Sequence, residues 1–315
     1  MTALLELQGI SKSFPQRGPW GRSRERFQAL RDVDLSVAPG ETVGLVGESG
    51  CGKSTLARTA LRLLEPDHGA IRFDGADITH AGRKGLRPAR RGMQIVFQDP
   101  FASLDPRMRV GRIIEEGLTI HGLGDRAQRR RRVADVLERC GLPGVAADKF
   151  PHQFSGGQRQ RIGIARALAM EPRLIVCDEP VSALDVSIQA QILNLLKELQ
   201  AEMGLAYLFI SHDLRVVRYL SDRVTVMYGG RVVEEGPTGA VYDAPAHPYT
   251  RGLLAAVPGG QRDRQARIPA GAVRPAAGEC PFYDRCPMAE PACAEWAFRA
   301  ESRSPGHRVA CRRAV

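Results

Sequence analysis

Nine consecutive residues, Gly47-Glu48-Ser49-Gly50-Cys51-Gly52-Lys53-Ser54-Thr55, follow the pattern G-x-x-x-x-G-K-[ST]. Glycines let a backbone curl so that successive N–H groups point inward. A helix start just behind them adds positive potential. Polyphosphate is the anion such a nest suits. Lys53 would reach the β- and γ-phosphates, and Ser54 would ligate Mg²⁺. A compact ammonium on a flexible stem suits the loop better than a planar guanidinium. A glycine-rich turn without nucleotide is the alternative.

Two further groups could do chemistry. Asp178 and Glu179 end the apolar run Leu174-Ile175-Val176-Cys177. Asp178 would supply a second Mg²⁺ contact, and Glu179 would orient and deprotonate an attacking water. A simple acidic strand end is the competing reading. Cys280, Cys286, Cys293 and Cys311 crowd the last part of the chain, spaced C-x₅-C-x₆-C-x₁₇-C. In a reducing compartment such a group favours metal over disulfides. Four thiolates suit tetrahedral zinc or an iron–sulfur cluster, although the C-x₂₋₄-C knuckle common in structural zinc sites is missing. Four free thiols remain the third option. His307 is a conceivable extra ligand, with a surface position the simpler expectation.

The elements that must hold these groups follow from the patterning. Thr42–Val46 reads as a buried strand running into the glycine loop. Lys53–Leu64 reads as the helix leaving it, with Leu56, Ala60 and Leu63 on one side. Residues 4–14 and 29–37 alternate as antiparallel strands around a polar loop, 16–26. Phe14, just before that loop, is either core or a stacking face for an adenine ring. Residues 70–75 and 94–97 read as strands, the second ending at Gln98. Residues 106–150 read as helical, with breaks at 122–125 and 141–144. The run Arg129–Arg132 opens a helix to Cys140 and reads as a solvated face. Strand then alternates with helix to about residue 257, which indicates a parallel sheet covered by helices. The Gly-, Pro- and Ala-rich stretch 258–279 reads as a linker.

The chain has 315 residues, 43% hydrophobic and 25% charged, enough for about two domains. No apolar run approaches the roughly 18–20 residues that span a bilayer. The first residues lack a signal-peptide pattern, so a cytosolic chain, held at a membrane only by a partner, is expected. Net charge is +10, nearly all of it arginine, with lysines only at 12, 53, 84, 149 and 197. That balance is as well explained by arginine usage as by nucleic acid, and no nucleic-acid partner is expected.

Taken in order, Gly47–Thr55, Gln98, Phe154-Ser155-Gly156-Gly157-Gln158, Asp178–Glu179, Ser182-Ala183-Leu184-Asp185 and His212 resemble the six motifs of the ABC-transporter ATPase cassette. The resemblance covers residues 1–257. It implies an α/β P-loop NTPase fold: a RecA-like parallel core, an antiparallel β subdomain and an α-helical subdomain at about 99–165. It implies that Gln98 touches Mg²⁺ or the water and senses a transmembrane partner, that Glu179 is the general base, and that His212 contacts the γ-phosphate. Asp185 would line a dimer interface. Ser155, Gly156, Gly157 and Gln158 would meet ATP bound by a second subunit, head to tail. The family usually has Leu at Phe154 and Tyr at Phe14; both replacements keep the property that matters, apolar bulk and a π face.

A narrower resemblance lies in Gln98–Met108 and Ala246–Leu254, followed by the cysteines. These are similar to importers of dipeptides, oligopeptides and nickel, most of all to the second ATPase subunit of dipeptide importers. It implies peptide uptake, with nickel or glutathione as alternative cargo, and a four-iron cluster in a small extension, 280–315. It implies a second ATPase subunit (a heterodimer, or else a homodimer), two permease subunits and, indirectly, an extracytoplasmic binding protein. The location implied is the cytoplasmic face of the plasma membrane. A soluble ABC ATPase acting on ribosomes or DNA is the reading from another class. An iron–sulfur protein in which ATP is secondary is a third.

Overall fold

The structure, a computed structural model, describes residues 3–17, 23–257, 268 and 280–314. The expected linker, apart from Ile268, lies outside the described residues, as does the tip of the polar loop at 18–22.

The chain forms β1 (Leu5–Arg17), β2 (Ser23–Val37), β3 (Thr42–Val46), α1 (Lys53–Ala60), β4 (His68–Phe73) and β5 (Ala76–Asp77). Next come α2 (Leu86–Gly92), β6 (Met93–Val96), α3 (Val110–His121), α4 (Arg126–Arg139), α5 (Gly156–Ala169), β7 (Leu174–Asp178), α6 (Val186–Met203) and β8 (Ala206–Ile210). Last come α7 (Leu214–Leu220), β9 (Arg223–Tyr228), β10 (Arg231–Pro237), α8 (Thr238–Asp243), α9 (Pro248–Ala255), α10 (Pro291–Ala294), β11 (Glu301–Ser304) and β12 (His307–Val309).

These elements divide into two compact units. One comprises Met1–Leu4, Ala38–Glu41 and Ala81–Ser211. In it β6, β7 and β8 lie side by side and parallel, with Val96 opposite Cys177 and Asp178 opposite Ile210. Every residue of β7 and β8 is buried, as strands covered on both faces must be. Helices α3 and α4 pack against α5, and they bury Val110, Ile113, Ile114 and Leu118, and Val133, Val136 and Leu137. That i, i+3, i+4 spacing puts each set on one stripe, and burial is worth about 1.5–3 kcal/mol per side chain. Helix α4 starts three residues earlier than the expected Arg129. Asp125 caps it, accepting from Gln128 N at 2.8 Å while Gln128 Oε1 accepts from Asp125 N at 2.7 Å. Half of the arginine run also turns inward. Arg129 donates to the Leu123 and Gly124 carbonyls and Arg132 to those of Leu168 and Ala169, whereas Arg130 and Arg131 are exposed.

The other unit comprises Leu5–Val37, Thr42–His80 and His212–Val315. The antiparallel sheet read from residues 4–14 and 29–37 is present, in the order β2-β1-β4-β5. Phe14 stands opposite Phe27 with its ring half-exposed, 5.8 Å from the Lys12 ammonium. β3 pairs in parallel with β9, and β10, β12 and β11 continue from β9 in antiparallel. Helix α1 stops at Ala60, short of the expected Leu64. Arg62 turns left-handed at φ +52° and sends its Nε 2.9 Å to the Ile78 carbonyl. Leu63 therefore swings out, 52% exposed, and leaves the apolar side on which the sequence places it.

Candidate functional site

In the unit that carries the glycine loop, β3 is buried at all five positions and delivers the chain to Gly47. Gly47 has φ +152°, and a Cβ there would stand 2.2 Å from the Met227 carbonyl oxygen. Gly52, at φ +110°, caps α1, where a Cβ would stand 2.6 Å from the Ala29 oxygen. These two positions therefore admit no side chain. Among the described residues no side-chain hydrogen bond caps α1, and the uncapped start of a helix is suited to an anion. Lys53 is only 6% exposed. Its Nζ donates to the Gly47 carbonyl at 2.7 Å and the Glu48 carbonyl at 3.0 Å, arching over the loop as a phosphate-reaching lysine must. Ser54 and Ser49 are exposed at the mouth, Thr55 is half-buried and Gly50 turns at φ +82°. Cys51 is buried, and burial pushes its thiol up. His212 is exposed in the turn before α7, whose cap is the neighbouring Asp213.

The other unit carries the acids. Asp178 closes β7, 5% exposed. Glu179 follows at φ +49°, its N–H donating to the Ile210 carbonyl at 3.0 Å. That left-handed turn, uncommon outside glycine, holds the half-buried Glu179 carboxylate at the C-terminal edge of the parallel strands. Gln98, two residues past β6, donates from Nε2 to Glu179 Oε2 at 3.3 Å. The structure thus brings two of the sequence-derived site residues together across 81 positions of chain.

The signature segment is built to present a helix start. Phe154 is buried and anchors it. Ser155 caps α5: Gln158 Oε1 accepts from Ser155 N at 3.0 Å and Ser155 Oγ from Gln158 N at 3.4 Å. Ser155 itself is exposed and Gly156 and Gly157 half-exposed. A Cβ on Gly157 would stand 2.5 Å from Ile188 Cγ2, so this glycine lets α5 approach α6. Asp185, exposed at the start of α6, stands at the end of the Ser182–Asp185 loop, where Ser182 Oγ donates to the Glu179 carbonyl at 3.1 Å. Arg159, not singled out by its sequence, stacks its guanidinium 4.0 Å from the Phe101 ring and ties the segment after Gln98 to α5.

The last cysteines converge. Cys280, Cys286, Cys293 and Cys311 line one cavity of about 20 Å³, with His247 and Trp296. Burial pushes Cys280 and Cys286 up, and Cys311 up to about 12. His247 is 1% exposed, and burial pushes its imidazole down to about 3, so the ring is neutral. Its Nδ1 accepts from Tyr249 N at 3.0 Å, which puts the proton on Nε2. Nε2 is buried with no hydrogen-bond partner among the described residues. Among those residues no three His, Cys, Asp or Glu side chains are grouped tightly enough to hold a single metal ion. His307, expected at the surface, is instead 6% exposed, its Nε2 2.8 Å from Glu234 Oε1. A bulge between Val232 and Glu234 turns two successive residues of β10 inward and so buries that carboxylate. Pattern alone carries no sign of such a bulge.

Residues 30–182 match the family described as ABC transporter, and residues 233–293 match the oligopeptide/dipeptide transporter C-terminal region. The oligopeptide transport ATP-binding protein AppF of Bacillus subtilis is 48% identical over 319 residues, 98% of this chain and 96% of its own. The chain belongs to the ABC-transporter ATP-binding proteins. Like other cassettes of that family it is an ATPase, and it carries the C-terminal region of the oligopeptide/dipeptide branch. The glutathione import ATP-binding protein GsiA of Salmonella paratyphi A is 54% identical over 256 residues, 81% of this chain and 41% of that longer protein. Among solved structures, the dimeric cassette MJ0796 bound to ADP and phosphate matches with a TM-score of 0.66 at 31% identity, covering 74% of this chain and 98% of that one. The cassette fold with its mixed sheets is therefore as the motifs imply.

Proposed function

We propose that this chain is the ATP-hydrolysing subunit of a peptide importer, bound to the cytoplasmic face of the membrane. It works there with a second ATPase subunit, two permease subunits and an external binding protein. Among the described residues no helix is long and apolar enough to cross a membrane. Gly47–Thr55 holds the phosphates, Ser54 and Asp178 hold Mg²⁺, and Phe14 stacks on adenine. Glu179 takes the proton of the attacking water, His212 steadies the γ-phosphate, and Gln98 reports the permease. Ser155, Gly156, Gly157 and Gln158 complete the ATP site of the partner subunit, with Asp185 at the joint. ATP closes such a dimer and hydrolysis opens it, driving the permease between its two faces.

The observation that carries this reading is the Gln98–Glu179 hydrogen bond. It joins the residue that senses the permease to the base itself, which is what coupling of hydrolysis to transport requires. Glu179→Gln tests it: ATP binding stays and turnover falls by about 10²–10⁴. Hydrolysis near the wild-type rate would remove Glu179 from this role. Peptide cargo is supported by the match to AppF and by the C-terminal region. Uptake of labelled dipeptide, glutathione and nickel by cells lacking the chain discriminates the three.

The four cysteines fit a bound metal centre in donor type and in convergence on one cavity. The orphaned His247 Nε2–H points to an acceptor there, as anionic sulfur would be. Four thiolates are the donor set of an iron–sulfur cluster and of zinc alike, and the resemblance to this importer group favours the cluster. Cys280, Cys286, Cys293 and Cys311 would hold it, and it would supply a cross-link for the tail. Iron and sulfide analysis after anaerobic purification tests this.

A further inference from the structure

Between Cys280 and Cys286 the chain makes a single 3-10 turn, Tyr283–Arg285, stitched by Tyr283 N to the Cys280 carbonyl and Arg285 N to the Phe282 carbonyl. Phe282 anchors the turn. It is 1% exposed and meets Tyr228 edge-on at 5.1 Å and Tyr249 at 5.5 Å. With the turn so fixed, Arg285 reaches the phosphate-binding loop. Its two terminal nitrogens donate to the two Glu48 carboxylate oxygens at 2.8 and 3.0 Å, and one also donates to Tyr228 Oη at 3.2 Å. The guanidinium carbon lies 5.6 Å from the Tyr228 ring centre. The pair is sheltered, with side-chain exposures of 11% and 30%.

Glu48 is the second residue of the loop and is gripped at each of its polar groups. Its N–H donates to Tyr249 Oη at 2.9 Å, and its carbonyl accepts from Lys53 Nζ at 3.0 Å and Cys51 N at 3.2 Å. A parallel two-bond fork fixes orientation as well as distance, and few side chains other than arginine make one. Ordering a free loop at the moment of binding costs conformational entropy, whereas a loop already held does not incur that cost.

We propose that Arg285 of the cysteine segment is a positioning residue for nucleotide binding: through Glu48 it holds the phosphate-binding loop in its receiving shape. This rests on the reading of Gly47–Thr55 as the ATP loop. A contact that merely glued down the tail would change melting temperature and leave nucleotide affinity alone.

The test is the ATP dependence of hydrolysis and the equilibrium binding of a fluorescent ATP analogue, both on the full chain. Arg285→Ala should raise the KM and the Kd about tenfold while kcat stays within about twofold, the loss expected for a sheltered charge-assisted pair. Arg285→Lys keeps the charge and the fold but loses the fork, and should raise both about threefold. Lys53→Ala serves as the reference. If it abolishes analogue binding while both Arg285 variants bind as wild type, the loop is the ATP site and the proposal is wrong. If Lys53→Ala itself binds normally, the ATP reading falls and takes the proposal with it.

Discussion

Glu234→Gln is an isosteric change at a carboxylate that is 0% exposed as a side chain. Oε1 accepts from Ala246 N at 2.8 Å and lies 2.8 Å from His307 Nε2; Oε2 accepts from His247 N at 3.0 Å. A glutamine can set its one oxygen where Oε1 was. Its NH₂ then faces the His247 N–H, donor against donor, and flipping the amide leaves two partners facing it instead of one. The change should cost at least one charge-assisted hydrogen bond, about 1.5–3 kcal/mol. Glu234→Ala leaves all three partners without an acceptor and should cost about 3–5 kcal/mol. Equilibrium urea unfolding gives the totals. Hydrogen exchange should localise the loss to residues 231–257 and 307–309, where the partners lie. A Glu234→Gln protein within about 0.5 kcal/mol of wild type, with unchanged exchange there, would refute the view that this carboxylate is an acceptor hub.

Other expectations are quickly checked. Asp125→Ala removes the cap of α4 and should cost about 1 kcal/mol in thermal unfolding; no change would mean that the capping box is idle. Gly157→Ala should destabilise by about 1–3 kcal/mol and lower ATPase activity, because its methyl meets Ile188, and Ile188→Ala should recover part of the stability. Phe282→Ala empties the space between Tyr228 and Tyr249 and should cost about 3–5 kcal/mol by calorimetry. Cys140, pushed up to about 12 by burial, and the fully buried Cys177 should resist iodoacetamide at pH 8 until denaturant is added, as mapped by mass spectrometry.

The glycine loop was legible because backbone geometry alone dictates it: Gly47 and Gly52 stand where any Cβ would strike a carbonyl. Strand β7 was legible because complete burial leaves an unbroken apolar run before two acids. What escaped depends on partners distant in the chain. Leu63 matched the helical period, but Arg62 is drawn off by the Ile78 carbonyl and the helix ends first. His307 looked like a surface histidine because its acceptor, Glu234, lies 73 residues away and is turned inward by a bulge. Arg285 was one arginine among many. Nothing local distinguishes a residue whose partner lies 237 positions upstream. Tyr249 lies in Ala246–Leu254, a segment that resembles the peptide importers, but its contact with the Glu48 amide is a tertiary fact.

β12 borders β10, and Arg285 and Phe282 reach back to the loop and its neighbours. Trimming the gene after residue 257, the natural place to look for a minimal cassette, would therefore behave less like pruning a branch than like pulling a keystone. It would strip β10 of its outer neighbour, open a ready template for aggregation, and uncover two tyrosines beside the nucleotide loop. Engineers wishing to transplant this motor onto another permease should move the cysteine segment with it.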